Sequence, residues 1–201
     1  MALTDKLTAI ANAIRAKDGT SDKMTLAEMP SKIAAIQAGG AAEPYTEETY
    51  DQSGNIISAT LHGHTSIRDS AFSGCSKLAL TSLPSSLTSI GDDAFYNCTK
   101  LALTSLPSGI TSIGSSAFKE CVGLALTSLP SGITSIGSGA FDKCSSLTSI
   151  TFEGTPTTIN SSAFSNCTHL TTINVPWAEG AVANAPWGAT NATINYNYTG
   201  A

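Results

Sequence analysis

LALTSLPSGITSIGSSAFKECVG, residues 101 to 123, is followed at once by LALTSLPSGITSIGSGAFDKC, residues 124 to 144. The same sentence recurs with a 23-residue period. Its Ala-Phe pair stands at Ala71-Phe72, Ala94-Phe95, Ala117-Phe118, Ala140-Phe141 and Ala163-Phe164. Ile67, Ile90, Ile113, Ile136 and Ile159 precede the alanines by four residues, and Cys75, Cys98, Cys121, Cys144 and Cys167 follow the phenylalanines by three. A fixed period of this length marks a repeat architecture. Within one period the apolar positions follow neither helical spacing nor strict alternation, so one long helix or one long strand is excluded. Leu101–Leu106, stopped by Pro107, reads as a short strand. Ser108-Gly109 supplies a turn, and Ile110–Gly114 reads as a second extended segment. Ser115-Ser116-Ala117-Phe118 is expected to cap a tight helical turn that carries the aromatic inward.

One coil of this kind cannot bury its Leu, Ile, Phe and Cys, whereas stacked copies can. The expectation is an α/β repeat solenoid of five coils, each a short strand plus a short helical turn. The structural ladder would be Phe72, Phe95, Phe118, Phe141 and Phe164 beside Cys75, Cys98, Cys121, Cys144 and Cys167. Leu78, Leu101, Leu124, Leu147 and Leu170 accompany them. The cysteine count is odd, and stacked side chains run parallel instead of facing one another, so buried thiols are expected in preference to disulfides. No C-x-x-C pair offers a metal site.

The pattern C-x-x-L-x-x-[IT]-x-[LIF]-P…I-G-x-x-A-F-x-x-C resembles the BspA-type leucine-rich repeat of bacterial surface and phage-associated proteins, over about Leu61 to Trp177. The fourth coil departs from it, with Glu153 at the proline position and Pro156 where the others have Leu87, Ile110 or Ile133. Arg68 and Asn160 replace the glycine after isoleucine in the first and last coils.

Charged residues make up 12% of the 201-residue chain, and the formal charge is −5. No Lys/Arg cluster appears, which argues against a nucleic-acid partner. The N-terminus has no basic segment followed by an apolar run, so no Sec signal peptide is expected, and no apolar stretch reaches membrane-spanning length. Leu7, Ile10, Ala11 and Ile14 fall on one helical face, and Thr25 with Glu28 fits a capping box before a second short helix carrying Ile33 and Ile36. Neither helix is long enough to be stable alone. Residues 1–38 are therefore expected to form a small helical hairpin that anchors the chain or joins it to sister copies as a homo-oligomer. The opening, LTDKLTAIANAIRAKDGTSDKMTLAEMPSKIAAI, is similar to the N-terminal segment of tail and tail-fibre-like proteins of phages and prophages of gut Firmicutes, where it precedes variable C-terminal modules.

Residues 39–44 read as a linker of small residues. Residues 45–61 read as a β-hairpin cap turning at Asp51-Gln52-Ser53-Gly54 and shielding the first coil's edge. The solenoid would span 62–177, and 178–201 would form a C-terminal cap with Trp177, Trp187, Tyr196 and Tyr198. An aromatic sugar-binding platform is the rival reading of those rings.

His62-Gly63-His64 puts two imidazoles on one strand face without a third ligand nearby, and solvated histidines are expected there. Asp92, Asp93 and Glu153 form no acid/base pair, and the serines lack a nucleophile-elbow context. No catalytic residue, cofactor or metal is expected. What remains is surface: Ser82, Ser105, Ser128, Thr151 and Asn174 form an outward row suited to hydrogen bonding with a host glycan or a protein. The alternative is that these are simply soluble strand residues. The resemblances imply a non-enzymatic tail-associated receptor-binding or structural component, located in the virion or in bacterial cytoplasm before assembly. A bacterial surface adhesin and an intracellular interaction scaffold are the alternatives.

Overall fold

The computed structural model describes residues 44–200. The helices, anchor and oligomerisation segment expected over 1–38 lie outside the described residues. β1 (Tyr45–Tyr50) and β2 (Ile56–His62) pair as a two-stranded sheet. Their connecting turn is closed by Gly54 N donating to Asp51 O at 3.0 Å and by Asp51 N donating to Asn55 O at 2.9 Å.

From residue 64 onward the chain winds as a parallel-strand solenoid. One sheet runs through β3 (Ser66–Ile67), β4 (Ser89–Ile90), β5 (Ser112–Ile113), β7 (Ser135–Ile136) and β9 (Thr158–Ile159). Every pair in it is parallel and offset by one period, as in Ser66↔Ser89 and Ile67↔Ile90. The second sheet holds β6 (Ser128–Leu129), β8 (Ser149–Phe152), β10 (Thr172–Asn174) and β11 (Thr193–Asn195). Before β6 the same ladder continues as single bonds, Ala102 N to Leu80 O at 3.0 Å and Ala125 N to Leu103 O at 3.1 Å. Ala79 N donates in the same way to Ile57 O of β2 at 3.0 Å.

Between the sheets the side chains stack by type. Adjacent rings of Phe72, Phe95, Phe118, Phe141 and Phe164 lie 5.4, 5.5, 5.5 and 5.0 Å apart and within 9° of parallel. Leu78, Leu101, Leu124, Leu147 and Leu170 are fully buried. Four of the five thiols donate backward to the phenylalanine carbonyl of the preceding coil: Cys98 to Phe72, Cys121 to Phe95, Cys144 to Phe118 and Cys167 to Phe141, all at 3.0–3.1 Å. All five cysteines are unbridged, and Cys75, which opens the column, is only partly buried.

Two expectations need correction. The turn that carries each phenylalanine is not helical; no helix occurs among the described residues. Its amides alternate in destination. Ser70, Phe72 and Gly74 donate forward to Asp92, Ala94 and Tyr96 of the next coil, while Ala71, Ser73 and Cys75 donate back three residues within their own. A helix would send all of these amides to the same chain segment. Here every second one builds the stack, and left-handed backbone at Ser70 (φ 56°) and Gly74 (φ 76°) aims it there.

The coil number is also larger than five. Val182 and Trp187 stand 23 residues after Ile159 and Phe164, and both are buried. Phe164 N donates to Trp187 O at 2.9 Å, extending the ladder that joins Phe141 N to Ala163 O. These contacts make a sixth coil. It is two residues short, since β10 and β11 pair Thr172 with Thr193, an offset of 21.

Candidate binding face

A groove of about 1110 Å³ runs along the five-stranded sheet, from Ser66 to Asn160 and Asn184. Strand alternation builds it: in each Ser-Ile pair the isoleucine is buried and the preceding hydroxyl side chain faces the groove. The floor is therefore a row of Ser66, Ser89, Ser112, Ser135 and Thr158, paired neighbour to neighbour by register.

The glycines after isoleucine let successive coils close up at the groove's side. A Cβ on Gly91 would sit 2.3 Å from Asp69 Oδ1 and 2.6 Å from Asp69 N, and one on Gly114 would meet Asp92 in the same way. Two of the groove's carboxylates are engaged by this packing. Asp69 Oδ1 accepts the Asp92 amide at 2.9 Å, and Asp92 Oδ1 accepts the Ser115 amide at 2.6 Å. Arg68, Asp69 and Asp92 are the charged residues of the lining and sit at its N-terminal end; Ser, Gly, Thr and Asn supply the polar groups beyond them.

The row chosen from the sequence lies elsewhere. Ser128, Thr151 and Asn174 are register neighbours in the four-stranded sheet. They are also tied to other side chains: Ser128 Oγ donates to Glu153 Oε1 at 2.7 Å, and Asn174 Nδ2 donates to Thr151 Oγ1 at 3.1 Å. Asn195 Nδ2 donates in turn to Asn174 Oδ1 at 2.8 Å. Ser82 and Ser105 are exposed but belong to no strand. The groove row was equally periodic in the sequence, since a Ser or Thr precedes every ladder isoleucine.

The other candidates resolve into structure. Trp177 and Trp187 are buried with Phe152, whose ring lies 5.3 and 6.0 Å from theirs, so no exposed indole platform forms. Trp187 Nε1 donates to Ala183 O at 2.7 Å. His62 stacks on Tyr45 at 4.4 Å, with Nε2 3.5 Å from Glu47 Oε2. Among the described residues no three His, Cys, Asp or Glu side chains converge as a metal site. Burial pushes the Cys121 and Cys167 thiols up to about 12 and raises Cys98 and Cys144 as well, which keeps them from acting as nucleophiles near neutral pH. No helix among the described residues is long and apolar enough to cross a membrane.

A family model described as BspA type leucine-rich repeat region matches residues 65–182 in six copies. Three solved structures are similar. The Treponema pallidum leucine-rich repeat protein TpLRR is 28% identical, with 64% of this chain and 81% of that chain covered and a TM-score of 0.45. A leucine-rich repeat protein from Bacteroides ovatus is 23% identical over 64% of this chain and 45% of its own, with a TM-score of 0.39. A leucine-rich cell surface protein from Faecalibacterium prausnitzii is 22% identical over 68% of this chain and 53% of its own, with a TM-score of 0.34. No curated protein matches the chain.

Proposed function

The chain belongs to the BspA-type leucine-rich repeat family, and from that membership we propose that it is a non-enzymatic binding and display protein whose groove along the five-stranded sheet engages a partner on a host surface. The observation that carries this reading is the continuity of the groove across five coils, with a hydroxyl from each on its floor. Stacked repeats create extended surfaces in which affinity comes from many equivalent contacts. The ordered hydrogen bonding and tight coil contacts beneath the floor supply a rigid scaffold, so little is lost to ordering the protein on binding.

The setting that fits the whole chain is a phage or prophage tail, with residues 1–38 as attachment or oligomerisation segment and the solenoid as the displayed module. The support for this setting is the similarity of residues 3–36 to tail-protein N-terminal segments. A bacterial surface adhesin is the alternative setting for the same binding face.

The test is binding of the labelled chain to whole bacterial cells, compared with a groove-blocked variant carrying Ser112→Trp and Ser135→Trp and with a control carrying Ser82→Trp and Ser105→Trp. Loss of binding in the first variant alone is expected. Equal binding by all three proteins would overturn the groove reading. Co-purification of the chain with induced phage particles tests the tail setting separately.

A further inference from the structure

The groove row differs from its neighbours in what its side chains are already doing. Thr88, Thr111 and Thr134 each donate a hydroxyl to a carbonyl of the preceding coil at 3.0 Å. On the other sheet Ser128 donates to Glu153, and Asn174 donates to Thr151. Ser66, Ser89, Ser112, Ser135 and Thr158 make no side-chain hydrogen bond within the described residues, although all five line the groove. The strand backbone beneath them is engaged in the parallel ladder. The floor thus presents unengaged hydroxyls at one per coil, and each can donate and accept.

We propose that the groove binds an unbranched, uncharged, extended glycan laid along this row at one sugar per coil, an inference that rests on the groove being the binding face. Three features choose this ligand over an extended peptide. The first is spacing. Neighbouring strands lie about 4.8 Å apart, so the five hydroxyls span about 19 Å in equal steps. An extended, equatorially 1,4-linked glycan advances by close to one such step per ring; alternate rings are turned over, so each ring points hydroxyls of one edge or the other at the floor and the same edge returns at every second coil. A peptide strand places same-face side chains about 6.7 Å apart and falls out of register within two coils.

The second feature is charge. Beyond Arg68, Asp69 and Asp92 the lining is neutral, and both of those carboxylates already accept a backbone amide. The third is the way a peptide would bind. Strand addition needs an open sheet edge, whereas the groove floor is the face of a sheet whose central strands are paired on both sides. Since no lining residue is aromatic, affinity has to accumulate sugar by sugar instead of resting on one stacked ring.

The experiment titrates the full chain by calorimetry with a length series of linear, uncharged β-linked oligosaccharides, beside extended neutral peptides of matching length. Affinity is expected to rise with each sugar and level off at about five, the number of strands in the floor. Ser89→Ala, Ser112→Ala and Ser135→Ala should each weaken binding by about 2- to 10-fold, the loss of one hydrogen bond. A variant lacking residues 101–123 should level off one sugar sooner. Should that variant fail to fold, the serine series reads the same register without it.

Absence of length dependence, or affinity unmoved by the three serine changes, overturns the proposal. Tighter binding of the peptides, lost on the same serine changes, also overturns it while leaving the groove as the binding face. Indifference of every ligand, and of cell binding, to the groove substitutions defeats the proposed function as well.

Discussion

The amide of Phe164 donates to the carbonyl of Trp187 at 2.9 Å, one full period along the chain. Trp187 therefore continues the backbone ladder of the phenylalanine column, and its indole is fully buried. Phe164 is consequently an interior member of the stack, touched by Phe141 at 5.0 Å and edge-on by Phe152 at 6.3 Å. Phe164→Ala should destabilise the protein by about 3–5 kcal/mol, as much as Phe118→Ala, because each leaves a buried aromatic cavity. Phe72, stacked on one side by Phe95, should cost less. Urea unfolding of the three variants checks the order, and a Phe164 variant as mild as the Phe72 one would remove the sixth coil from the account.

The buried thiols should make the protein sensitive to alkali. Burial pushes Cys121 and Cys167 up to about 12, whereas a free thiol ionises near pH 8.5. Above that pH the unfolded chain releases protons that the folded coils keep. Stability is fully present below about pH 8.5 and falls as pH rises toward the folded value, by roughly 1.4 kcal/mol per pH unit for each thiol. Denaturant midpoints at pH 8 and 10 should show this decline for the native chain, and a shallower one for Cys121→Ala. Equal slopes would count against thiol burial as the cause.

Two glycines of one coil should fail for different reasons. A Cβ on Gly137 would lie 2.5 Å from Ser115 N and 2.7 Å from the carbonyl carbon of Gly114. Gly137→Ala therefore has to push coils apart, at a cost of about 1–3 kcal/mol. Gly139 has open room, its nearest neighbour being Asp142 Cβ at 3.6 Å, but its φ is +59°. Gly139→Ala should cost about 1 kcal/mol from backbone conformation alone. The column itself tolerates this, since Ser70, Asp93 and Ser116 hold the same conformation. Thermal unfolding should rank Gly137→Ala as the worse change.

Acid should act through the first turn. The Lys77 ammonium, 2.9 Å from Asp51, and the Asn55 side chain hold the Asp51 carboxyl well below the usual carboxylate range. The stability this contributes is present above the ordinary value near 3.9 and is lost as pH falls below it toward the folded one. Lys77→Met should flatten the acid limb of a melting-temperature profile while leaving the alkaline limb unchanged. An unaltered acid limb would show that other carboxylates govern it.

The sequence made the period legible because the alanine, phenylalanine, cysteine and leading leucine positions each keep one residue type through five copies. It hid the sixth coil because there the types change together: Val182 for isoleucine, Trp187 for phenylalanine and Thr190 for cysteine. Small polar residues before Ala-Phe suit a helix start as well as this non-helical turn, so the local sequence does not separate the two. The destination of an amide is set by the neighbouring coil, not by the side chain above it. Likewise two hydroxyl rows were equally periodic, and their composition did not separate them. Ser128 is tied up because Glu153, 25 residues on, comes within 2.7 Å; Ser112 meets no such group.

By itself the sequence determined the 23-residue repeat and the residues too apolar to be left outside it, since burial follows from composition and phase. The tertiary structure alone decided the route of the turn amides, the coil that ends the stack, and the hydroxyls left available to a ligand. Each of those depends on the distance between atoms a whole period apart, which is fixed only when one coil closes on the next.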